Sequence, residues 1–237
     1  MCRSAVLAAS LIWAATLPAQ QAAQHQDILG TQKKLYSQHH EELVVRDFFQ
    51  DRRSGTFLDV GCAWPVKHSN TYYLEQRLGW RGIGVDALPD YAAAWKTRRR
   101  KSRFLQYAIT EKPEGQISFF RSDMLGISML RPSAEHLKQG VKYEEIKVST
   151  ITLNRLLEEA HVLSIDFLSM DIEGAEIAAL AGFDIERFAP KLACVEAKPA
   201  NREKLTAYFA AHGYERLLRY AERDPINYYY APRSGPR

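Results

Sequence analysis

The sequence predicts a single α/β domain on a doubly wound, Rossmann-like sheet of strand order 3-2-1-4-5, closed by an antiparallel pair at one edge. Three observations predict it. Short apolar runs of strand-forming residues alternate with helical periodicity over residues 56–212, the pattern of βα units. The first run, Phe57, Leu58, Asp59 and Val60, ends at Gly61, where the chain can turn sharply and present bare backbone to a ligand. The second, Gly82, Ile83, Gly84 and Val85, ends on Asp86, the position from which such folds accept hydrogen bonds from ribose hydroxyls.

Residues 1–19 read as a signal-peptide-like leader, with Arg3 ahead of an apolar run over 5–17 and a small-residue boundary at Leu17, Pro18 and Ala19. That run is too short to span a bilayer, so no stable membrane span is expected once the leader is removed. Residues 20–55 form an N-terminal extension, polar to Gly30 and then carrying Leu35, Leu43, Val44, Phe48 and Phe49 at helical spacing. A helix over 31–50 packed on the sheet edge is the expectation. The α/β domain proper runs over 56–231 and a tail over 232–237.

Within the domain, Ser69, Asn70 and Thr71 are candidate caps of a helix over 72–78 that Gly79 stops. Pro89 and Asp90 open a helix through Trp95, closed by the basic residues Lys96, Arg98, Arg99, Arg100, Lys101 and Arg103. Cations at a helix C-terminus suit its dipole, and no aromatic residues interleave as a nucleic-acid platform requires, so this run reads as a solvated face. Strands follow over 104–109 and, in a hairpin context, over 117–120. Periodicity then fails from Ser122 to Gly140, a stretch punctuated by Gly126 and Pro132 that reads as a lid or binding loop. A strand over 146–150 precedes a helix capped by Thr152 with Leu153, Leu156 and Leu157 inward. The fourth strand spans 165–170, a helix 175–181, the fifth strand 192–196 and a helix 201–212 that Gly213 stops. Residues 214–220 and 226–231 supply the antiparallel pair.

At 237 residues, 46% hydrophobic and 25% charged, the chain can bury a full core and shows no fibrous or disordered bias; its net charge of +4 favours no class of partner. Cys2 would leave with the leader. Cys62 and Cys194 belong to the first and fifth strands, two spacings of about 4.8 Å apart with the fourth between them, so no disulfide is expected. Seven histidines occur without H-E-x-x-H spacing, and no G-x-S-x-G elbow is present, which speaks against metal and serine hydrolysis.

The turn after the first strand narrows the ligand. A dinucleotide pyrophosphate wants three glycines, and Gly61, Cys62, Ala63, Trp64, Pro65 offers one. A ligand without phosphates, such as S-adenosylmethionine, needs less backbone approach. Phe57-Leu58-Asp59-Val60-Gly61, Ser69-Asn70-Thr71-Tyr72-Tyr73-Leu74-Glu75 and Leu78-Gly79-Trp80-Arg81-Gly82-Ile83 resemble the FkbM family of S-adenosylmethionine-dependent methyltransferases. A second block, Ile165-Asp166-Phe167-Leu168-Ser169-Met170-Asp171-Ile172-Glu173-Gly174-Ala175-Glu176, with Leu180-Ala181-Gly182-Phe183, is similar to that family's other signature. With gaps, the resemblance runs over 57–214. Two departures are Pro65, where the family has glycine, and Asp86-Ala87-Leu88, where it has an acid followed by proline.

The resemblance implies S-adenosyl-L-methionine as cofactor and methyl transfer as the reaction. Asp59, Gly61, Cys62 and Asp86 are the candidate cofactor contacts, with Ala108 and Ile109 beside the adenine. Ligands of open α/β sheets bind outside the strand ends where strand order reverses, which sets Asp171, Glu173 and Glu176 across from residues 61–65. A carboxylate there can take a proton from a hydroxyl during transfer, so Asp171 and Glu173 are the candidate catalytic residues. Glu176 reads equally as a base or as a complement to the helix dipole, and Trp64 equally as a cover for the cofactor or as core. No metal is predicted, although oxygen-only sites have no fixed spacing by which to exclude an ion on Asp171 and Glu173.

The reading is O-methylation of a hydroxyl on a small molecule or glycan. A base-directed methyltransferase would carry an acid or Asn followed by two prolines after the fourth strand; Asp171-Ile172-Glu173-Gly174 lacks them, which disfavours nucleic acid. A nicotinamide oxidoreductase is opposed by the missing glycines, and a non-catalytic exported binding module by the intact Asp59, Gly61, Asp86 and Asp171. The leader points to export, periplasmic or secreted, whereas cofactor supply points to the cytoplasm; the sequence leaves both localisations open, and the oligomeric state too.

Overall fold

Two helical segments, α1 (Ile28–Thr31) and α2 (Glu41–Phe49), precede the first strand of the sheet, β1 (Thr56–Val60). Then come α3 (Tyr72–Leu78), β2 (Arg81–Asp86), α4 (Ala92–Arg98), β3 (Ser102–Gln106), β4 (Ala108–Ile109), β5 (Gln116–Ser122), α5 (Ala134–Lys138) and β6 (Tyr143–Ile151). The chain closes with α6 (Leu153–Glu159), β7 (Phe167–Met170), α7 (Glu176–Ala181), α8 (Ile185–Phe188), β8 (Leu192–Glu196), α9 (Arg202–Ala211), β9 (Tyr214–Arg216) and β10 (Asn227–Pro232). This computed structural model describes residues 26–113, 115–124, 126–132 and 134–233. The leader expected over 1–19 lies outside the described residues, as do 234–237 of the expected tail.

The main sheet has the order β3-β2-β1-β7-β8-β10-β9. Its first five strands are parallel, and β10 and β9 join antiparallel at the edge. This is the 3-2-1-4-5 arrangement with an edge pair, and strand order reverses between β1 and β7. Register pairs Val60 with both Val85 and Met170, so Gly61, Asp86 and Asp171 emerge side by side from three adjacent strand ends.

Alternation along each strand divides the core. Leu58, Val60, Val85, Leu168, Met170 and Val195 face α6, α7 and α9 through Leu156, Leu157, Ala179, Leu180, Leu205 and Phe209. Phe57, Phe167, Leu192 and Tyr229 face the other way, against Val44, Val45, Leu74, Leu78 and Trp80. So α2 covers a sheet face rather than the sheet edge. It is also shorter than the helix expected over 31–50. The Glu42 carboxylate accepts from the Leu35 and Tyr36 amides (3.2 and 2.9 Å) and Glu41 from the His39 amide (2.8 Å), which holds 35–39 in a turn that competes with helix.

The third strand also differs from expectation. It breaks at Tyr107, whose amide donates to the Asp86 carbonyl (2.9 Å), and Ala108 and Ile109 leave the main sheet to pair with Thr150 and Ile151. There β4, β6 and β5 make a second sheet, with β5 and β6 antiparallel over seven residue pairs. The stretch read as a structureless lid contains α5 and a bridge in which Phe120 and Met129 exchange both backbone hydrogen bonds (2.9 and 3.1 Å). Among the described residues no helix is long and apolar enough to cross a membrane.

Candidate active site

The strand ends open into a crevice, bounded on one side by Phe119 of the second sheet and by Ser128 and Leu130 of the segment that follows β5. Of the residues singled out in the sequence, Gly61, Asp86, Ala108, Ile109, Asp171 and Glu173 line it.

Gly61 makes the turn in the left-handed region (φ +79), and a Cβ there would stand 1.8 Å from the Asp171 carbonyl oxygen. Only glycine allows β1 and β7 to end this close together. Asp86 holds the next part of the turn, accepting from the Ala63 amide on Oδ2 (3.1 Å) and from the Leu88 amide on Oδ1 (2.9 Å). Burial in the crevice wall pushes its carboxyl up to about 6; the amide bonds oppose the shift and the Asp59 charge adds to it. Each oxygen keeps a lone pair, so the carboxylate can still accept from a ligand hydroxyl. Trp64 packs edge-on against Tyr91 at 5.0 Å, and Trp95 Nε1 donates to the Ala63 carbonyl (2.7 Å).

Asp59 and Cys62 lie outside the lining. Asp59 shares the face of Phe57, so its side chain is turned away from the crevice that Val60 lines. Its Oδ2 accepts from Thr71 Oγ1 (2.7 Å), and burial pushes its carboxyl up against that bond and the Arg99 charge. Cys62 packs with Tyr91 and Trp95 in an apolar cluster, and burial raises its thiol far above the ordinary value. It is a core residue, and Cys194 is likewise a free, buried thiol.

Arg99 corrects the reading of the basic run as a solvated face. Its side chain is wholly buried; Nε pairs with Glu75 Oε2 (2.7 Å), Nη1 donates to the Pro65 carbonyl (3.1 Å) and to Ser69 Oγ (3.2 Å), and Nη2 to Thr71 Oγ1 (2.9 Å). The guanidinium also lies 4.3 Å from the Trp95 ring centre. One cation therefore ties α4 to residues 65–71 and, through Thr71, to Asp59. A sequence signal existed: Arg99 follows Trp95 by one helical turn, on the buried side. Ser69 rather than Thr71 supplies the capping oxygen of α3, accepting from the Tyr72 amide at 3.1 Å.

At the end of β7 the acids divide by role. Glu176 is fully buried and accepts from the Gly174 amide (2.9 Å), the Ile172 amide (3.3 Å) and Asn201 Nδ2 (3.0 Å), so it braces the turn. That turn places Glu173 and Gly174 at positive φ (57 and 102). Glu173 accepts from Lys198 Nζ. Among the described residues no cation forms an ion pair with the Asp171 carboxylate, whereas Lys198 pairs with Glu173. Asp171 lines the crevice and keeps part of its surface exposed. Its carboxyl is pushed far up, first by loss of water, then by the charges of Glu196, Glu173 and Glu176, with Lys198 opposing.

Glu196 and Lys198 were not legible as site residues. Glu196 ends β8 and Lys198 lies just beyond it; Val195 pairs with Met170, so Glu196 stands beside Asp171 on the neighbouring strand end. Among the described residues no group of three or more His, Cys, Asp or Glu side chains is placed to hold a metal ion.

None of the curated proteins compared matches the chain significantly. Among solved structures, a TehB-like S-adenosylmethionine-dependent methyltransferase from Corynebacterium glutamicum is similar at 10% identity and a TM-score of 0.45, over 86% of this chain and 91% of that one. A 1,6-didemethyltoxoflavin N1-methyltransferase from Burkholderia thailandensis, solved with its substrate and S-adenosylhomocysteine, is similar at 12% identity and a TM-score of 0.38, over 81% of this chain and 74% of that one. Such values carry no argument about what this chain methylates. The family described as methyltransferase FkbM domain matches residues 59–216, from the buried acid of β1 to the end of β9. The chain belongs to the FkbM family of methyltransferases, which use S-adenosylmethionine.

Proposed function

We propose that this protein is an O-methyltransferase that acts on a hydroxyl of a small molecule or glycan. The observation that carries the reading is Asp171, a carboxylate at the β7 tip that lines the crevice and, among the described residues, has no cation paired to it. Asp86 would hold the cofactor ribose, the Gly61 turn its methionine end, and Ala108 and Ile109 would lie against the adenine. When bound, the cofactor supplies an electrophilic methyl group on a sulfonium. Transfer then needs alignment and, for a hydroxyl, removal of one proton. Asp171 is the base. Glu173, candidate base in the sequence, is neutralised by Lys198 and orients that lysine. The fold supports residues 122–140 as a selector of the acceptor, because Gly126, Ser128 and Leu130 reach the crevice from that stretch. The two prolines expected of a base-directed enzyme are missing after β7, which disfavours a nucleic-acid acceptor.

The test is incubation with S-adenosylmethionine labelled with ¹³C in the methyl group and a panel of hydroxylated small molecules and oligosaccharides, read by carbon NMR. A methoxy resonance is expected. Label appearing only on nitrogen or carbon would sink the assignment.

A further inference from the structure

The turn after β1 is held from behind the crevice wall by a side chain of α4. Ala63 lines the crevice and sits in the left-handed region (φ 40), a conformation that is strained for a residue with a side chain. Two side chains keep it there: Asp86 Oδ2 accepts from the Ala63 amide (3.1 Å), and Trp95 Nε1 donates to the Ala63 carbonyl (2.7 Å). The amide belongs to the peptide plane before Ala63 and the carbonyl to the plane after it, so these bonds fix the two planes whose relative rotation is the φ and ψ of Ala63. Trp95 is itself fixed. It is buried on α4, a Cβ on Gly84 would stand 2.4 Å from its Cη2, and the Arg99 guanidinium lies 4.3 Å from its ring centre. Arg99, one helical turn on, donates to the Pro65 carbonyl (3.1 Å) and so holds the exit of the same turn. Any large apolar side chain could fill the space beside Gly84. A buried indole N–H needs an acceptor, and the acceptor here is the carbonyl of a strained residue in the crevice wall.

We infer that Trp95 is a positioning residue for the cofactor: through its hydrogen bond to the Ala63 carbonyl it holds the turn in the shape to which S-adenosylmethionine binds. The inference rests on the cofactor placement given above, with the methionine end at the Gly61 turn and the ribose on Asp86. Trp95 is not part of the crevice lining and acts through Ala63. With the indole N–H gone, Ala63 can leave the left-handed region, which reshapes the wall, and Asp86 loses one of the two amides that aim its carboxylate.

Calorimetric titration with S-adenosylhomocysteine tests this without an acceptor. Trp95→Phe keeps a ring against Gly84 and removes the donor; it should weaken binding about tenfold, the worth of one hydrogen bond and the released strain. Ala63→Gly separates positioning from packing, because glycine takes a positive φ without strain; alone it should change the affinity by no more than about threefold. Added to Trp95→Phe, it should bring the affinity back to within about threefold of wild type, a coupling that independent sites do not show. A loss caused by looser packing of α4 would not be repaired at residue 63. Should Trp95→Phe fail to fold by circular dichroism, Trp95→benzothienylalanine, in which sulfur replaces only the N–H, takes its place in both backgrounds. Wild-type affinity in the variant that lacks the donor, or a loss that Ala63→Gly leaves in place, overturns the role of Trp95. Asp86→Ala in the same titration keeps the two readings apart. If it weakens binding while Trp95→Phe does not, the cofactor placement stands and the role of Trp95 falls alone. If neither substitution changes the affinity, or the wild type does not bind, the placement falls and the role with it.

Discussion

The Asp171 amide donates to the Val60 carbonyl (2.9 Å), and the Asp171 carbonyl oxygen fills the place where a side chain on Gly61 would begin, 1.8 Å from its Cβ. The ends of β1 and β7 are thus welded backbone to backbone, and cofactor turn and base hold one fixed relation. Gly79 makes the informative contrast, because it has nearly the same φ (+76) with nothing within 4 Å of its Cβ. Gly79→Ala should cost only the left-handed strain, about 1–2 kcal/mol. Gly61→Ala should cost about 4 kcal/mol or more and abolish cofactor binding. Urea unfolding of both variants checks the difference.

Asp86 should give cofactor affinity an acid limb. A ribose hydroxyl donates best to the ionised carboxylate, so binding lowers the carboxyl's pKa, and affinity is full above about 6 and falls as pH drops through it. Calorimetric titration with S-adenosylhomocysteine from pH 5 to 8 should show this weakening below about 6. Asp86→Asn should flatten the limb, and Asp86→Ala should weaken binding by about 1–3 kcal/mol at pH 8. An unchanged dissociation constant in the alanine variant would remove Asp86 from the ribose.

Arg99 should behave as a keystone of the fold. Removing one partner of a fully buried ion pair leaves an uncompensated charge, at a cost of about 3–5 kcal/mol. Arg99→Ala should show that loss in urea unfolding, whereas Arg100→Ala, a neighbour in the basic run with no partner needing it inside, should stay within about 0.5 kcal/mol of wild type. Equal effects would return the whole run to the solvent.

Much of this was legible in the sequence because local rules and tertiary packing agree. The apolar runs of β1 and β2, the stop at Gly79 and the cap at Thr152 each follow from chemistry within a few residues, and Thr152 Oγ1 accepts from the Arg155 amide at 3.2 Å as a cap should. Residues 32–40 were misread because the Glu41 and Glu42 carboxylates compete for their amides. Asp59 was placed in the cofactor contacts because it ends a strand, yet alternation with Phe57 already turns it to the opposite face. Glu196 was missed because its relation to Asp171 arises from strand adjacency, 25 positions apart in the chain. The predicted order held a clue: of the neighbouring fourth and fifth strands, one is followed at once by Asp171 and the other ends on Glu196.

The most direct test of the account is kcat of Asp171→Asn with a hydroxyl acceptor, measured beside its affinity for S-adenosylhomocysteine. Asn keeps the shape of the side chain but cannot take the proton, so kcat should fall by roughly 10² to 10⁴ while the affinity stays at the wild-type value. Turnover at the wild-type rate would show that Asp171 is not the base and would contradict the account.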